Sequence, residues 1–169
     1  MPSMGIYSWE LMESYGVQKL VRVGTAGSFH EDVKVRDIVI GVSASTDSNY
    51  AHTFDIPGTF APAASFDLLL AADKAASKLG LSYRAGNILS GDVFYELTDD
   101  WWKKWKRMGT LAVEMEAAAL YMNAAYLKRD ALTILTISNH FVTGEETTNQ
   151  ERETTFTNMM KLALETVIA

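Results

Sequence analysis

At 169 residues the chain is long enough to bury one core and fits a single domain over residues 1–169. Its 48% hydrophobic and 21% charged content is that of an ordinary globular protein, and a formal net charge of −6 argues against a broad basic surface for nucleic acid. Cysteine is absent, which excludes disulfides, thiolate metal sites and a cysteine nucleophile, and His30, His52 and His140 lack metal-ligand spacing. Neither a basic and apolar leader nor a bilayer-length apolar run is read in the sequence, so a cytoplasmic protein with no membrane partner is expected.

Met4 to Tyr15 reads as a helix, with Ser3 as N-cap and Gly16 as its stop. Lys19 to Gly24 reads as a short buried strand entering a turn. Thr25-Ala-Gly-Ser28 is small enough there to bring backbone N–H groups close to a ligand. Arg36 to Val42 is a second strand, and Ser43 to Pro62 is mostly loop. Ser65 can cap a helix from Phe66 to Leu79 that stops at Gly80. Tyr83 to Ser90 returns as a strand. Asp99 to Met108 is a short amphipathic helix with Trp101, Trp105 and Met108 on one face, a surface or lid element.

Leu111 to Leu120 is apolar except for two carboxylates, Glu114 and Glu116. A buried carboxylate needs partners, supplied either by the helix that begins at Glu116 and runs to Leu127 or by a hydroxylated ligand. Ala131 to Ile137 is a continuous apolar strand that delivers Ser138-Asn139-His140 at its carboxyl end. Thr148 and Glu151 form a capping-box pattern before a helix that places Phe156, Met159, Met160, Ala163, Leu164 and Val167 on one face. Strands alternating with helices predict an α/β protein with a parallel or mixed sheet, whose ligands bind beyond the carboxyl ends of strands.

Four groups fall at such ends: Arg22 to Thr25, Phe94, Glu114 to Glu116, and Ser138-Asn139. Arg22 before a small-residue turn suits a phosphate or oxyanion clamp, and suits equally an arginine paired with a nearby carboxylate. Phe94 and Tyr95 offer a stacking ring or core packing. Asn139 donates and accepts in one plane, which fits a heterocycle edge or a strand-end turn. Arg152, near the start of the last helix, opposes the helix dipole and calls for compensation or solvent. Walker-type and dinucleotide glycine fingerprints are absent, so NAD and nucleoside triphosphate sites are unsupported.

Arg22-Val-Gly-Thr25, Thr46-Asp-Ser48, Asp92-Val-Phe-Tyr95, Val113-Glu-Met-Glu-Ala117, Ser138-Asn-His140, Thr143-Gly-Glu-Glu-Thr147 and Glu151-Arg-Glu-Thr-Thr-Phe156 occur in one order. Together they resemble the bacterial hexameric purine nucleoside phosphorylases over the whole chain. The resemblance implies a mixed, partly barrel-like central sheet flanked by helices, with the family's first strands missing from the start of this chain. It implies reversible cleavage of purine nucleosides by inorganic phosphate, no cofactor beyond that co-substrate, and a homohexamer. Carried over, Arg22, Val23, Gly24 and Thr25 hold phosphate, while Phe94, Val113, Glu114, Met115, Glu116 and Ser138 line the nucleoside, with Glu116 on the ribose hydroxyls. Asn139 and Arg152 take the catalytic positions.

At position 139 the family normally carries an aspartic acid that protonates N7 of the leaving purine. An amide delivers no proton, but it can hydrogen-bond N7 or a 6-oxo group. This departure predicts weak cleavage of 6-aminopurine nucleosides relative to inosine or guanosine. The alternative is a homologue that binds nucleosides without efficient turnover.

Overall fold

The computed structural model describes residues 1–154 and 156–168. Five strands, β1 (Lys19–Ser28), β2 (Ile38–Thr46), β3 (Arg84–Ser90), β4 (Ala112–Glu114) and β5 (Asp130–His140), close into a barrel in the order β1-β4-β3-β2-β5. β1 lies parallel to β5, and β3 lies parallel to both β2 and β4. The β1–β4 and β2–β5 pairs are antiparallel, so the sheet is mixed, as the sequence predicts. Among the described residues six α-helices flank it: α1 (Pro2–Trp9), α2 (Phe66–Leu79), α3 (Trp101–Arg107), α4 (Ala117–Leu127), α5 (Asn149–Thr154) and α6 (Thr157–Ile168).

Alternation along the strands sorts the core onto two faces. One cluster gathers Ala26, Val39, Ile88, Ala112, Leu135 and Ile137 from all five strands against α4. The other sets Ile38, Ile40, Leu132 and Ile134 against α2 and α6. The alanine-rich α4 is buried along most of its length, as an all-round apolar helix must be. Its Tyr121 is 1% exposed and reaches into the barrel wall. The phenol donates to the Gly41 carbonyl at 2.6 Å and accepts from the Thr133 N–H at 3.0 Å, where the register of β2 shifts beyond Gly41. Glycine at 41 lets the strands pack closely, since a Cβ there would meet Ile88 Cδ1 at 2.7 Å and the Tyr121 hydroxyl at 3.3 Å.

α2 matches its predicted limits and ends on Gly80 in the left-handed region, although the Ser65 hydroxyl accepts from Ala131 N–H instead of capping the helix. Four expectations change. β2 begins at Ile38 and runs on through Ser43 to Thr46, read from sequence as loop, because β3 pairs with it as far as Thr46. The first helix begins at Pro2, with Met1 as its N-cap residue in place of Ser3, since proline suits a first helical position. It then loosens into a π-helical turn over Glu10–Ser14. Thr25 to Ser28 form no turn: they continue β1, because β5 pairs with the whole segment and β4 pairs with Gly27 and Ser28. The last helix is broken into α5 and α6, and the buried stripe becomes Phe156, Met159, Leu162, Ala163 and Thr166, leaving Met160, Leu164 and Val167 exposed. A stripe at spacings of three and four starting from Phe156 faces α2, and the second apolar stripe one residue along faces solvent. Thr148 does cap α5, accepting from the Glu151 N–H at 3.1 Å.

Tyr121→Phe orphans a buried carbonyl and a buried N–H at once. We expect a loss of about 1–3 kcal/mol for each group, read as a lowered urea midpoint with an unchanged slope.

Candidate functional site

The pleat of β1 puts Leu20, Arg22, Gly24 and Ala26 on one face and Val21, Val23 and Thr25 on the other. Arg22 therefore folds back along its own strand. A Cβ on Gly24 would lie 2.7–2.9 Å from three atoms of the guanidinium, so glycine is what lets the arginine lie flat there. The guanidinium meets two carboxylates from the β4–α4 junction. Its Nη2 donates to Glu116 Oε2, and its Nη1 approaches Glu114 Oε2 at 3.3 Å without hydrogen-bond geometry. Nη1 is buried and has no hydrogen-bond partner among the described residues.

The two carboxylates differ in kind. Glu114 is 4% exposed, and both its oxygens are taken. Oε1 accepts from the Ser90 hydroxyl, Oε2 accepts from Glu116 N–H at 2.9 Å, and both receive Ala117 N–H at 2.9–3.0 Å. Burial pushes this carboxyl above its ordinary range, while Arg22, Ser90 and the two backbone N–H groups pull it back. Glu114 thus satisfies the first turn of α4 from within the strand before it. Glu116 is the N-cap residue of α4, with a side chain 34% exposed. Its Oε2 serves Arg22 and Met115 N–H, and its Oε1 accepts nothing among the described residues.

The second half of the site lies one turn further along the barrel. Gly27 on β1 has Val113 of β4 as its register partner on one side and Asn139 of β5 on the other, so the three form a row across adjacent strands. Ser138 Oγ has two acceptors within reach of its one hydrogen, Asn139 Oδ1 at 3.2 Å and the Ala26 carbonyl at 3.4 Å. The loop after β5 returns to pair Glu146 with Asn139, and Thr147 donates its N–H and its hydroxyl to the Ser138 carbonyl at 2.8 and 3.0 Å. Arg152 is held by this loop: its Nε donates to Thr147 Oγ1 at 3.0 Å and its Nη2 to the Thr147 carbonyl at 3.3 Å.

Of the residues predicted from sequence, Arg22, Gly24, Glu114 and Glu116 come together in direct contact. Met115 and Val113 are half-buried beside them. Asn139 and Ser138 join Val113 across Gly27, and Arg152 reaches them only through Thr147. Val23 and Thr25 stand exposed on the other face of β1, away from Arg22. Phe94 is 74% exposed, in an edge-to-face pair with Tyr95 at 5.0 Å, and does not pack on the others. Its loop is tied down at Asp92, whose N–H donates to Asp47 at 3.0 Å. Thr155 of the last motif lies outside the described residues.

Ser90 was missed by sequence reading. It closes an apolar strand, is fully buried, and joins Glu114 to Ala118 N–H. A lone serine at a buried strand end was the only available signal. The tryptophan helix also packs differently from its predicted face. Trp101 and Trp102 sit on Phe29 and Phe141, while Met108 is exposed.

Known proteins match this arrangement along its whole length. The profile of the family described as the Phosphorylase superfamily covers residues 1–169. The chain is 54% identical over 166 residues to the DeoD-type purine nucleoside phosphorylase of Clostridium beijerinckii, covering 98% of this chain and 70% of that protein. It is 52% identical over 167 residues to the enzyme of the same description from Geobacillus sp., and 52% identical over 168 residues to that of Bacillus cereus, covering 99% of this chain and 71% of each relative. The chain belongs to the phosphorylase superfamily.

Proposed function

We propose that the protein is a purine nucleoside phosphorylase, which cleaves purine nucleosides reversibly with inorganic phosphate to give the free base and a pentose 1-phosphate. The observation that carries this reading is the Arg22–Glu116 contact, in which Nη2 of the guanidinium is held by a partly exposed carboxylate that keeps its other oxygen unoccupied among the described residues. Arg22, lying over Gly24, supplies the fork for phosphate. When phosphate takes Nη2, Glu116 is left with both oxygens to accept from the ribose hydroxyls. Met115 and Val113 give the apolar floor, and inorganic phosphate is the co-substrate with no further cofactor.

Cleavage builds oxocarbenium character on the sugar as phosphate attacks its anomeric carbon and the purine departs with the bonding electrons. Ser138 occupies Asn139 Oδ1, so the amide presents its Nδ2 hydrogens to the base. These stabilise negative charge on N7 or a 6-oxo oxygen without transferring a proton, which the departing base takes from water. That chemistry favours 6-oxopurines. Arg152, tied to Thr147, adds positive charge on the same side. The family's homo-oligomer fits the exposed apolar residues Ile6, Tyr7 and Leu97, which favour association, and a cytoplasmic setting is part of the same reading. Among the described residues no helix is long and apolar enough to cross a membrane.

Incubation with inosine should release hypoxanthine only when phosphate is present, and release without phosphate would refute the phosphorylase reading. Binding of inosine with no release would support the alternative of a binding homologue, which the amide at 139 favours. Adenosine should react more slowly than inosine, and Asn139→Asp should raise its turnover on the order of a hundred-fold by restoring a proton donor.

Glu114 and Glu116 should separate by measurement. Glu114→Gln breaks a buried pair and should cost about 3–5 kcal/mol of stability in urea denaturation. Glu116→Gln should cost less, on the order of 1 kcal/mol, since Glu116 is partly exposed and Arg22 keeps the Glu114 charge beside it, yet should lower kcat/KM for inosine roughly ten-fold or more through the lost charged acceptor.

A further inference from the structure

Gly27 is the meeting point of two side chains that the reaction as described does not connect. A Cβ there would lie 2.5 Å from Phe141 Cε2 and 2.8 Å from Asn139 Nδ2, so a ring edge and a carboxamide share the space over one bare α-carbon. Ser138 restrains the amide through Oδ1 alone, with a hydroxyl that also has the Ala26 carbonyl in reach, and Nδ2 donates to no acceptor among the described residues. The last torsion of asparagine is broad, so one hydrogen bond does not by itself fix the amide plane. Phe141 is in turn immobilised. Its N–H donates to the Ser28 carbonyl at 3.0 Å, and its ring meets Phe29 at 5.4 Å, Trp101 at 5.6 Å and Trp102 at 6.1 Å between centroids. Phe29 is fully buried, so this aromatic group is part of the rigid body of the barrel.

We propose that Phe141 is a positioning residue for Asn139: its ring, backed by Phe29 and α3, closes the space over Gly27 and holds the amide plane with Nδ2 toward the N7 and 6-oxo edge of the purine. The proposal rests on the base-side role given to Asn139 above. It also explains the tryptophan helix, which serves as a buttress behind the base side of the site. α3 needs no mobility for that role.

Phe141→Leu keeps apolar bulk but removes the ring edge, and Phe141→Tyr keeps the edge. We expect Phe141→Leu to raise the KM for inosine roughly five- to ten-fold and to leave the KM for phosphate within about two-fold, with Phe141→Tyr close to wild type. In an Asn139→Ala background, Phe141→Leu should have no further effect on inosine. An equal loss in both backgrounds, or parallel changes in both KM values, would overturn the proposal and leave Phe141 a core residue only. A second measurement requires no turnover. The 15N heteronuclear NOE of the Asn139 side-chain amide, identified by its loss in Asn139→Ala, should fall in ligand-free Phe141→Leu and hold in Phe141→Tyr. An unchanged NOE in Phe141→Leu overturns the positioning role. Failure of wild-type protein to release hypoxanthine refutes the phosphorylase reading and leaves that NOE comparison to decide this one.

Discussion

Everything around the site depends on how the Glu114 carboxylate is kept inside the barrel. An ionised carboxylate in an apolar interior is costly unless each lone pair finds a donor. Here the donors are the Ser90 hydroxyl on β3 and the Glu116 and Ala117 N–H groups that open α4, and the Arg22 guanidinium from β1 adds an opposite charge at 3.3 Å without a hydrogen bond. One buried charge therefore pins three strands and a helix to a common point. The other features follow. Arg22 can reach Glu114 only by lying over Gly24, and the strand-to-helix turn that feeds N–H groups to Glu114 carries Glu116 out to the half-exposed position beside it.

That arrangement resolves the alternatives that the sequence leaves open at Arg22 and at the paired glutamates. An arginine paired with nearby carboxylates and an arginine offered to an anion are the same arginine, since Nη1 lies buried against Glu114 while Nη2 is held by the partly exposed Glu116. Likewise the two glutamates divide the two explanations. Glu114 satisfies the helix start, as the dipole argument asked, and Glu116 keeps an acceptor for a ligand. Local sequence could flag both residues as needing partners. It could not divide the roles, because the division depends on Ser90, a residue 24 positions away.

Elements with a strong local signal were legible: α2 between its serine and glycine, α4 as an all-apolar helix, and β5 as an apolar run. Where the reading failed, tertiary pairing overrode local chemistry. Thr25 to Ser28 look like a flexible phosphate-binding turn because they are small, yet small residues are needed there for another reason. Gly27 must leave room for Asn139 and Phe141, and the backbone of the segment is spent on ladders to β4 and β5. Thr25 consequently falls on the opposite face from Arg22, a consequence of strand parity that no turn-based reading contains. Phe94 failed differently: an aromatic residue next to a strand end signals a ring but not what it stacks on.

The base side of the site poses the sharper chemical question, because a proton donor would be useful there and two histidines are close in sequence or space. The geometry commits both to structure. His140 Nδ1 accepts from the Val142 and Thr143 N–H groups at 3.1 and 3.3 Å, so its proton is on Nε2, which donates to the His30 carbonyl at 3.0 Å. The His30 ring in turn contacts the Thr110 carbonyl at 3.0 Å. This chain of contacts fastens the loop after β5 to β1 and to the strand entering Glu114, so breaking it to move a proton would loosen the frame that positions Asn139. Arg152 is tied to Thr147 through Nε and Nη2. Under the proposed function the amide at 139 is therefore the group left to face the departing base, acting there by hydrogen bonding alone. An active site of this kind gains more from holding that amide still than from tuning any pKa around it, which is the demand that a rigid aromatic buttress over Gly27 meets.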